Sequence, residues 1–340
     1  MSYTQNHLDE ISTSIAANDA PLKEARARLA LVRSIGESFE GALRSYQSGS
    51  LAQRTVISPV NDGDGGLVLD RVKYPSLGPD GSGESPADVV TKLCEVLGPE
   101  IRKTYPGARC GTSKRGPKIT FSQPVDAQDP SVDLVVALTR KEESGLWIPN
   151  LETDKWEASD PEKHVDLFAS GTKNVVAKRR RIIRLLKAWN KQWDKPAFSS
   201  FHLSVLAFEL VKEDVNEAES LKEIFSSTTK LLEKGGTTKD PAEVSKPLKL
   251  LESTDTAIAR VKAAANAITE AVENDADEVK VQSAMARLYR NYVDAPASDK
   301  LAQAASALRE NAPIGGAAIG VAAVAITIPR TRAYGSANIE

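Results

Sequence analysis

The chain has 340 residues, of which 41% are hydrophobic and 26% are charged. This is the composition of a folded globular protein, and it excludes both wholesale disorder and a membrane bundle as first interpretations. The formal net charge is only −2. Proteins that coat nucleic acid usually carry a strong basic excess, so we expect no strong nucleic-acid partner and favour a local pocket for any nucleotide contact.

Cysteine usage and the N-terminus indicate where the protein works. Cys94 and Cys110 are the only cysteines, and no Cys/His cluster accompanies them, so neither a structural zinc site nor a disulfide framework is predicted. The N-terminal residues lack the basic and then apolar plan of a secretory signal. The apolar stretch 314–328 is shorter than the roughly 20 residues of a membrane-spanning helix. We therefore expect a cytoplasmic protein without a membrane segment.

Hydrophobic periodicity predicts three kinds of segment in chain order. From Pro21, apolar residues recur at three- and four-residue steps, which predicts a long amphipathic helix that ends near residues 48–50. Short β-rich runs between Gly-, Pro- and Asp-rich connections then predict a sheet with helices up to about residue 150. From Pro161 to about Glu310, segments rich in Ala, Leu, Lys and Glu predict a helical part.

Three aspartates are the candidates for chemistry. Asp62 and Asp64 form a D-x-D pair just before a predicted strand, and Asp133 lies in a second predicted strand, 132–138. Alternate residues of a strand face the same side, so Asp62 and Asp64 can point together and a neighbouring strand can bring Asp133 beside them. The intervening residues 65–66 are both glycine and leave the register open, so Asp70 is an alternative. We rank Asp133 higher because it lies near the start of a buried type of strand.

Three carboxylates at one place repel one another unless cations lie between them. Hard oxygen ligands of this kind suit Mg²⁺, with Mn²⁺ as an alternative. Two such ions can activate an attacking hydroxyl and stabilise a leaving pyrophosphate. Gly49 and Ser50, which precede the D-x-D pair, suit phosphate binding because glycine lets backbone N–H groups approach closely and serine adds a donor.

Gly49-Ser50, the D-x-D pair and the later Asp133 together resemble the polymerase-β-type nucleotidyltransferase superfamily. Further segments are similar to the bacterial cGAS/DncV-like nucleotidyltransferases, the cyclic oligonucleotide synthases called CD-NTases: IPNLETDKWEASDP at 148–161, RIIRLLKAWN at 181–190 and SSFHLSVL at 199–206. The resemblance implies an α+β fold, with a polymerase-β-like mixed-sheet core, a long N-terminal helix and a C-terminal helical domain. The expected boundaries are 1–165 for the core, 166–312 for the helical domain and 313–340 for a tail.

The resemblance also implies roles for individual residues. The expected catalytic residues and metal ligands are Asp62, Asp64 and Asp133. The expected nucleotide-binding residues are Gly49, Ser50, Lys187 and Ser200. The assignment of Lys187 has independent support, because helical spacing places four cations on one face: Arg180, Arg184, Lys187 and Lys191.

The function that the resemblance implies is synthesis of a cyclic di- or trinucleotide second messenger from ATP, GTP or other nucleoside triphosphates, in CBASS anti-phage defence. It further implies a downstream effector that responds to the product and an accessory regulatory protein at the C-terminal tail. Two alternatives remain open. One is a linear oligonucleotide or tRNA nucleotidyltransferase with the same carboxylates, and the other is a catalytically silent relative that acts as a binding or scaffold protein.

Overall fold

The computed structural model describes residues 2–82, 84–141 and 143–310, and the chain forms two compact units, Met1–Pro296 and Ala297–Glu340. The helices of the first unit are α1 (Tyr3–Ser14), α2 (Asp19–Gly36), α3 (Gly49–Gln53), α4 (Pro86–Arg102), α5 (Pro161–Phe168), α6 (Lys173–Asn190), α7 (Ser200–Leu210), α8 (Glu217–Glu233), α9 (Thr254–Glu273) and α10 (Glu278–Leu288). The second unit contains α11 (Ala297–Glu310). The strands are β1 (Ala42–Ser48), β2 (Asp62–Leu69), β3 (Arg109–Thr112), β4 (Pro117–Thr120), β5 (Ser131–Thr139), β6 (Leu146–Asn150) and β7 (Lys155–Ser159).

The seven strands form one mixed sheet. Its order is β1-β2-β5-β4-β3, and β6 pairs with the end of β5 and with β7. β2 and β5 run parallel to each other, whereas the other pairs are antiparallel. The parallel pair lies at the centre of the sheet with partners on both sides, which explains why both strands consist mostly of buried residues.

One face of the sheet is covered by α2 and α4, which also contact each other. α4 begins at a capping box formed by Ser85 and Asp88, and Pro86 occupies its first turn, where the helix needs no N–H donor. The buried side chains of α4 recur at three- and four-residue steps from Val89 to Ile101. This spacing presents one apolar stripe to the sheet and forms the core beneath it.

A second core is built mainly from helices. It contains side chains from α6 to α10, with Trp189 of α6 packed edge-on against Phe225 of α8 at a ring distance of 4.8 Å. α1 belongs to this core although it opens the chain, since Leu8 and Ile11 are buried in it. The chain therefore contributes its first helix to the helical core, then builds the sheet, and then returns to the helical core.

The sequence prediction was wrong about the segment that follows the first long helix. A helix was expected to continue to residues 48–50, but α2 ends at Gly36 and β1 begins at Ala42. Leu43 and Tyr46 continue the helical spacing by coincidence. A separation of three places them on opposite faces of a strand, and accordingly Leu43 is 54% exposed whereas Tyr46 is 5% exposed.

The expected α+β class, with a mixed sheet followed by a helical part, is confirmed. The division at residues 165 and 312 stays a prediction. Residue 165 lies inside α5, and the first helix packs in the helical core. The tail 313–340 lies outside the described residues. Within the described ranges, every helix is too short or too polar to cross a membrane.

Candidate active site

A tight corner between β1 and α3 lies beside β2. β1 ends at Ser48, which pairs with Asp64 of β2, and α3 begins at Gly49. Gly49 has φ +63°, a left-handed conformation that favours glycine. A Cβ atom at this position would lie 1.9 Å from Oδ2 of Asp64, so a side chain would displace the carboxylate. The corner formed by Gly49 and Ser50 therefore lies directly against Asp64.

Strand register brings the three predicted aspartates together. Asp62 and Asp64 are the first and third residues of β2, and Asp133 is the third residue of β5. Asp64 and Asp133 are direct partners in the parallel register of the two strands. Since side chains two residues apart on a strand share a face, Asp62 lies on the same face as Asp64.

The structure also defines the register of β2, which Gly65 and Gly66 left open in the sequence. A Cβ atom at Gly66 would lie 2.0 Å from Cζ of Tyr46, so β2 is without a side chain at the point where the Tyr46 ring crosses it. Asp70, the alternative third carboxylate, follows the end of β2 that is far from Asp62. Its Oδ1 accepts a hydrogen bond from the backbone N–H of Val72 at 2.8 Å, which gives it a role in a turn.

The aspartates affect one another electrostatically. Burial, together with the negative charges of Asp62 and Asp133, raises the pKa of Asp64 to about 6. Lys187 and Lys118 act in the opposite direction. A carboxylate with this environment is an unfavourable place for negative charge, and a bound cation would relieve the repulsion.

Asp133 has a counter-charge of its own. Lys118 of β4 is its partner across the strands, and Nζ of Lys118 lies 3.0 Å from Oδ2 of Asp133. Within the described part of the chain, no group of three His, Cys, Asp or Glu side chains is arranged to hold a metal ion alone. Mg²⁺ at phosphoryl-transfer sites is usually held by one or two carboxylates together with substrate phosphates. The all-oxygen donor set therefore fits an ion whose coordination is completed by substrate.

The helical side contributes a buried cation. Lys187 of α6 is 6% exposed, and its Nζ donates to the carbonyl oxygen of Thr55 at 3.1 Å and to Oγ1 of Thr55 at 3.2 Å. Burial and the nearby Lys191 lower the pKa of Lys187 to about 8, whereas Asp62 and Asp64 oppose this change. Lys187 is thus within electrostatic reach of the carboxylates and is tied to the segment that connects α3 to β2.

These groups surround one cavity of about 360 Å³, which we call the central pocket. All the predicted site residues except Asp133 line it. Ser204 links α7 to α3 across the pocket, because its Oγ donates to Oε1 of Gln53 at 3.1 Å. The full lining is Ser48, Gly49, Ser50, Gln53, Asp62, Asp64, Val135, Pro161, His164, Val165, Lys187, Ser200, Phe201 and Ser204.

The predicted basic face of α6 divides between two environments. Lys187 lines the central pocket, whereas Arg184 donates through Nη1 to the carbonyl oxygen of Arg54 at 3.3 Å. Arg180 and Lys191 are not among the residues that line the pocket. Of the four cations on the predicted face, Lys187 therefore reaches the site. Arg184 binds Arg54, which precedes Thr55 in the segment between α3 and β2.

Sequence reasoning missed several lining residues, among them Gln53, His164, Phe201 and Ser204. Ser204 follows Ser200 by one helical turn, a spacing that places both on one face of α7 and could have been used. His164 has no ligand-like spacing to another histidine or cysteine in the sequence, so no local pattern singles it out. Its hydrogen-bond partner is Asp240, 76 residues later in the chain, and no local pattern reveals such a pairing.

The mixed sheet with its central parallel pair, followed by a helical part, is the fold of polymerase-β-like nucleotidyltransferases. The family model of the Second Messenger Oligonucleotide or Dinucleotide Synthetase domain matches residues 1–171, which is half of the chain. The chain belongs to this family, and the resemblance found in the sequence is confirmed. Among curated proteins, none matches the chain.

Solved structures of CD-NTases share the fold at low identity. CdnC of E. coli MS115-1, solved with ATP, is 16% identical, with a TM-score of 0.62 over 85% of this chain and 98% of that chain. CdnC is also known in complex with HORMA-deltaN. CdnG of Bradyrhizobium diazoefficiens, solved with GTP, is 14% identical, with a TM-score of 0.63 over 90% and 99% of the two chains. The cyclic AMP-GMP synthase DncV of Vibrio cholerae, with nonhydrolyzable GTP, is 14% identical, with a TM-score of 0.53 over 86% and 87%.

Proposed function

We propose that this protein joins nucleoside triphosphates into a cyclic di- or trinucleotide second messenger. The observation that carries the proposal is the composition of the central pocket, where the carboxylates of β2 lie together with a buried lysine and the Gly49-Ser50 corner. A triphosphate needs cationic and N–H partners for its oxygens, and this pocket offers both. Membership of a synthetase family, and relatives solved with ATP and GTP, support the same substrate class.

Each part of the pocket has a separate task in this proposal. Gly49 and Ser50 bind phosphate oxygens through backbone N–H groups and the serine hydroxyl. Lys187 and Ser200 contact phosphates from the helical side. Two Mg²⁺ ions, or Mn²⁺ in their place, would be held by Asp62, Asp64 and Asp133. When bound, such ions supply stabilisation of the negative charge that develops on the attacking and leaving oxygens.

The reaction forms one phosphodiester bond at each step. A ribose hydroxyl of one nucleotide loses its proton and attacks the α-phosphorus of another, and the bond between the α- and β-phosphates breaks to release pyrophosphate. A final attack by the free hydroxyl of the chain on its own 5′ α-phosphate closes the ring and releases another pyrophosphate. The pocket's contribution is to hold the triphosphate in line with the attacking hydroxyl and to balance its charge.

The direct test is incubation of the purified protein with Mg²⁺ and ATP, GTP, CTP and UTP. Liquid chromatography and mass spectrometry should find a phosphatase-resistant product with the mass of a cyclic di- or trinucleotide. An Asp62→Asn/Asp64→Asn variant, which keeps the shape of the pocket and removes both charges, should form none. A linear product, or transfer of labelled nucleotide to RNA, would replace the proposal with a linear or tRNA nucleotidyltransferase.

We further propose that the product acts in anti-phage defence inside the cytoplasm, through an effector that binds it. CdnC was solved with HORMA-deltaN, which supports an accessory regulatory protein, and we assign its contact to the tail 313–340. Phage plating with the wild-type chain and the Asp62→Asn/Asp64→Asn variant tests the first point. Full protection by that variant would instead indicate a silent scaffold protein. Unchanged partner binding after truncation at Pro313 would remove the role of the tail.

A further inference from the structure

The central pocket has an apolar part as well as a charged part. Pro161, His164 and Val165 of α5 and Phe201 of α7 line it beside the polar residues that we assign to phosphate. The ring centroids of His164 and Phe201 are 4.6 Å apart, so the two side chains form one continuous surface. A nucleotide that places its phosphates on the polar part will place its base against this surface, because aromatic and aliphatic side chains suit a flat ring.

The His164 ring is held from behind by a distant loop. Its Nε2 lies 2.5 Å from Oδ1 of Asp240, and both side chains are buried. Asp240 also accepts hydrogen bonds from the backbone N–H groups of Ala242, Val244 and Ser245. The carboxylate is thus satisfied by four donors, and it can move only if all four bonds rearrange.

The charge of Asp240 fixes which ring nitrogen of His164 carries hydrogen. Burial alone would raise the pKa of Asp240, but hydrogen bonds from Ser245 N–H, the His164 ring and Ala242 N–H lower it to about 2. An ionised carboxylate only accepts hydrogen bonds, so Nε2 of His164 is the protonated nitrogen. Nδ1, the other ring nitrogen, accepts a hydrogen bond when the ring carries its hydrogen on Nε2 alone. Across the described ranges of the chain, no residue forms a hydrogen bond with it.

We infer that Nδ1 of His164 is a base-recognition group that accepts a hydrogen bond from an exocyclic amino group of the bound nucleobase, with Asp240 as its positioning residue. This inference rests on the proposed function, since it takes the pocket to be a nucleotide site. The substrate class is a nucleotide whose base carries an amino group, that is adenine, guanine or cytosine. A site that offers an acceptor for one hydrogen bond rejects a nucleotide analogue that lacks the matching donor.

The test compares each nucleotide with its analogue that lacks the amino group: ATP with purine riboside triphosphate, GTP with ITP, and CTP with the triphosphate of 2-pyrimidinone riboside. Binding is measured by calorimetry, with Ca²⁺ in place of Mg²⁺ to slow turnover. In the wild-type protein at least one pair should differ by about tenfold in Kd, the effect of one buried hydrogen bond. His164→Phe should remove that difference while His164→Gln, which retains an acceptor, should keep part of it.

The loop offers a matched control for the role of Asp240. Thr238, two residues earlier, also ties the loop to a histidine, since Nε2 of His202 lies 2.8 Å from its Oγ1, but His202 is not among the pocket-lining residues. Asp240→Asn should reduce the discrimination between the paired nucleotides, and Thr238→Val should leave it unchanged. Discrimination that survives in His164→Phe, or that is missing from all three pairs in the wild type, overturns the inference alone. If no nucleoside triphosphate binds, the proposed function fails as well.

Discussion

The two walls of the central pocket are built by different means. On the sheet wall, backbone pairing fixes the positions: Ser48 pairs with Asp64, and Asp64 pairs with Asp133. On the helical wall, side chains fix the positions, through the bonds from Lys187 to Thr55 and from Ser204 to Gln53. A strand register survives the loss of one side chain, whereas a side-chain hydrogen bond does not. The geometry of the sheet wall should therefore change only when the backbone is disturbed, whereas the geometry of the helical wall should weaken with each side chain that is removed.

Among substitutions that keep the three aspartates, the largest effect should follow a change to the backbone corner of the sheet wall. Gly49→Ala introduces a Cβ atom that would lie 1.9 Å from Oδ2 of Asp64, at a residue with φ +63°. Nucleotide consumption should fall at least about 100-fold, as expected when reacting groups are displaced by an ångström. Gly111→Ala is the matched control, since a Cβ atom there meets nothing within 4 Å. Normal turnover by Gly49→Ala would show that the carboxylate position is not fixed by this corner.

On the helical wall, Lys187→Met should weaken substrate binding without destroying the site. The substitution removes a buried cation and leaves the carbonyl oxygen of Thr55 without its Nζ donor. The KM for the nucleoside triphosphate should rise about 10- to 100-fold, the effect of one charge-assisted hydrogen bond. Lys191→Met, which changes a cation one turn later that does not line the pocket, should leave KM nearly unchanged. Equal effects of the two substitutions would mean that only overall charge matters.

A smaller effect should follow removal of the lysine that pairs with Asp133. Because Lys118 carries a positive charge 3.0 Å from Oδ2 of Asp133, it competes with a metal ion for that carboxylate. Lys118→Met should tighten Mn²⁺ binding about threefold to tenfold, since the pair is partly exposed and its energy is modest. Electron paramagnetic resonance of free Mn²⁺ measures this without turnover.

Lys114→Met is the control for that experiment, because Lys114 pairs with Glu152 and is 46% exposed, against 45% for Lys118. It should not alter Mn²⁺ affinity. Weaker Mn²⁺ binding by Lys118→Met would show instead that the lysine holds Asp133 in the geometry that a metal requires.

The last prediction concerns stability as a function of pH. The folded-state pKa of Asp64 is raised from 3.8 to about 6, so the folded protein loses stability as pH rises through this window. Without divalent ions, Asp64→Asn should therefore be more stable than the wild type at pH 8, by up to about 3 kcal/mol for a shift of about two pKa units. The advantage should disappear below about pH 4. Thermal unfolding in a chelator measures it, with Asp70→Asn as a control that should show no such gain.

The sequence predicted the sheet wall better than the helical wall. Asp62 and Asp64 could be grouped because the alternation of a strand is visible in the nearby sequence. Asp133 could be added because it lies near the start of another apolar strand, β5, which is the parallel neighbour of β2. The end of α2 was missed because Leu43 and Tyr46 fit helical spacing by chance. The pairing of His164 with Asp240 could not be predicted, since it depends on how a long loop packs and not on any periodicity.

The His164–Asp240 pair also has a consequence for the order in which the site is assembled during protein synthesis. The aspartates and the Gly49-Ser50 corner leave the ribosome early, but the lysine, the serines and finally Asp240 follow much later. A nascent chain that ends before Asp240 has the acidic residues in place and no anchor for the histidine. The central pocket is therefore complete only when the helical part has been synthesised, so a truncated translation product would lack Lys187, Ser200 and the anchor of His164.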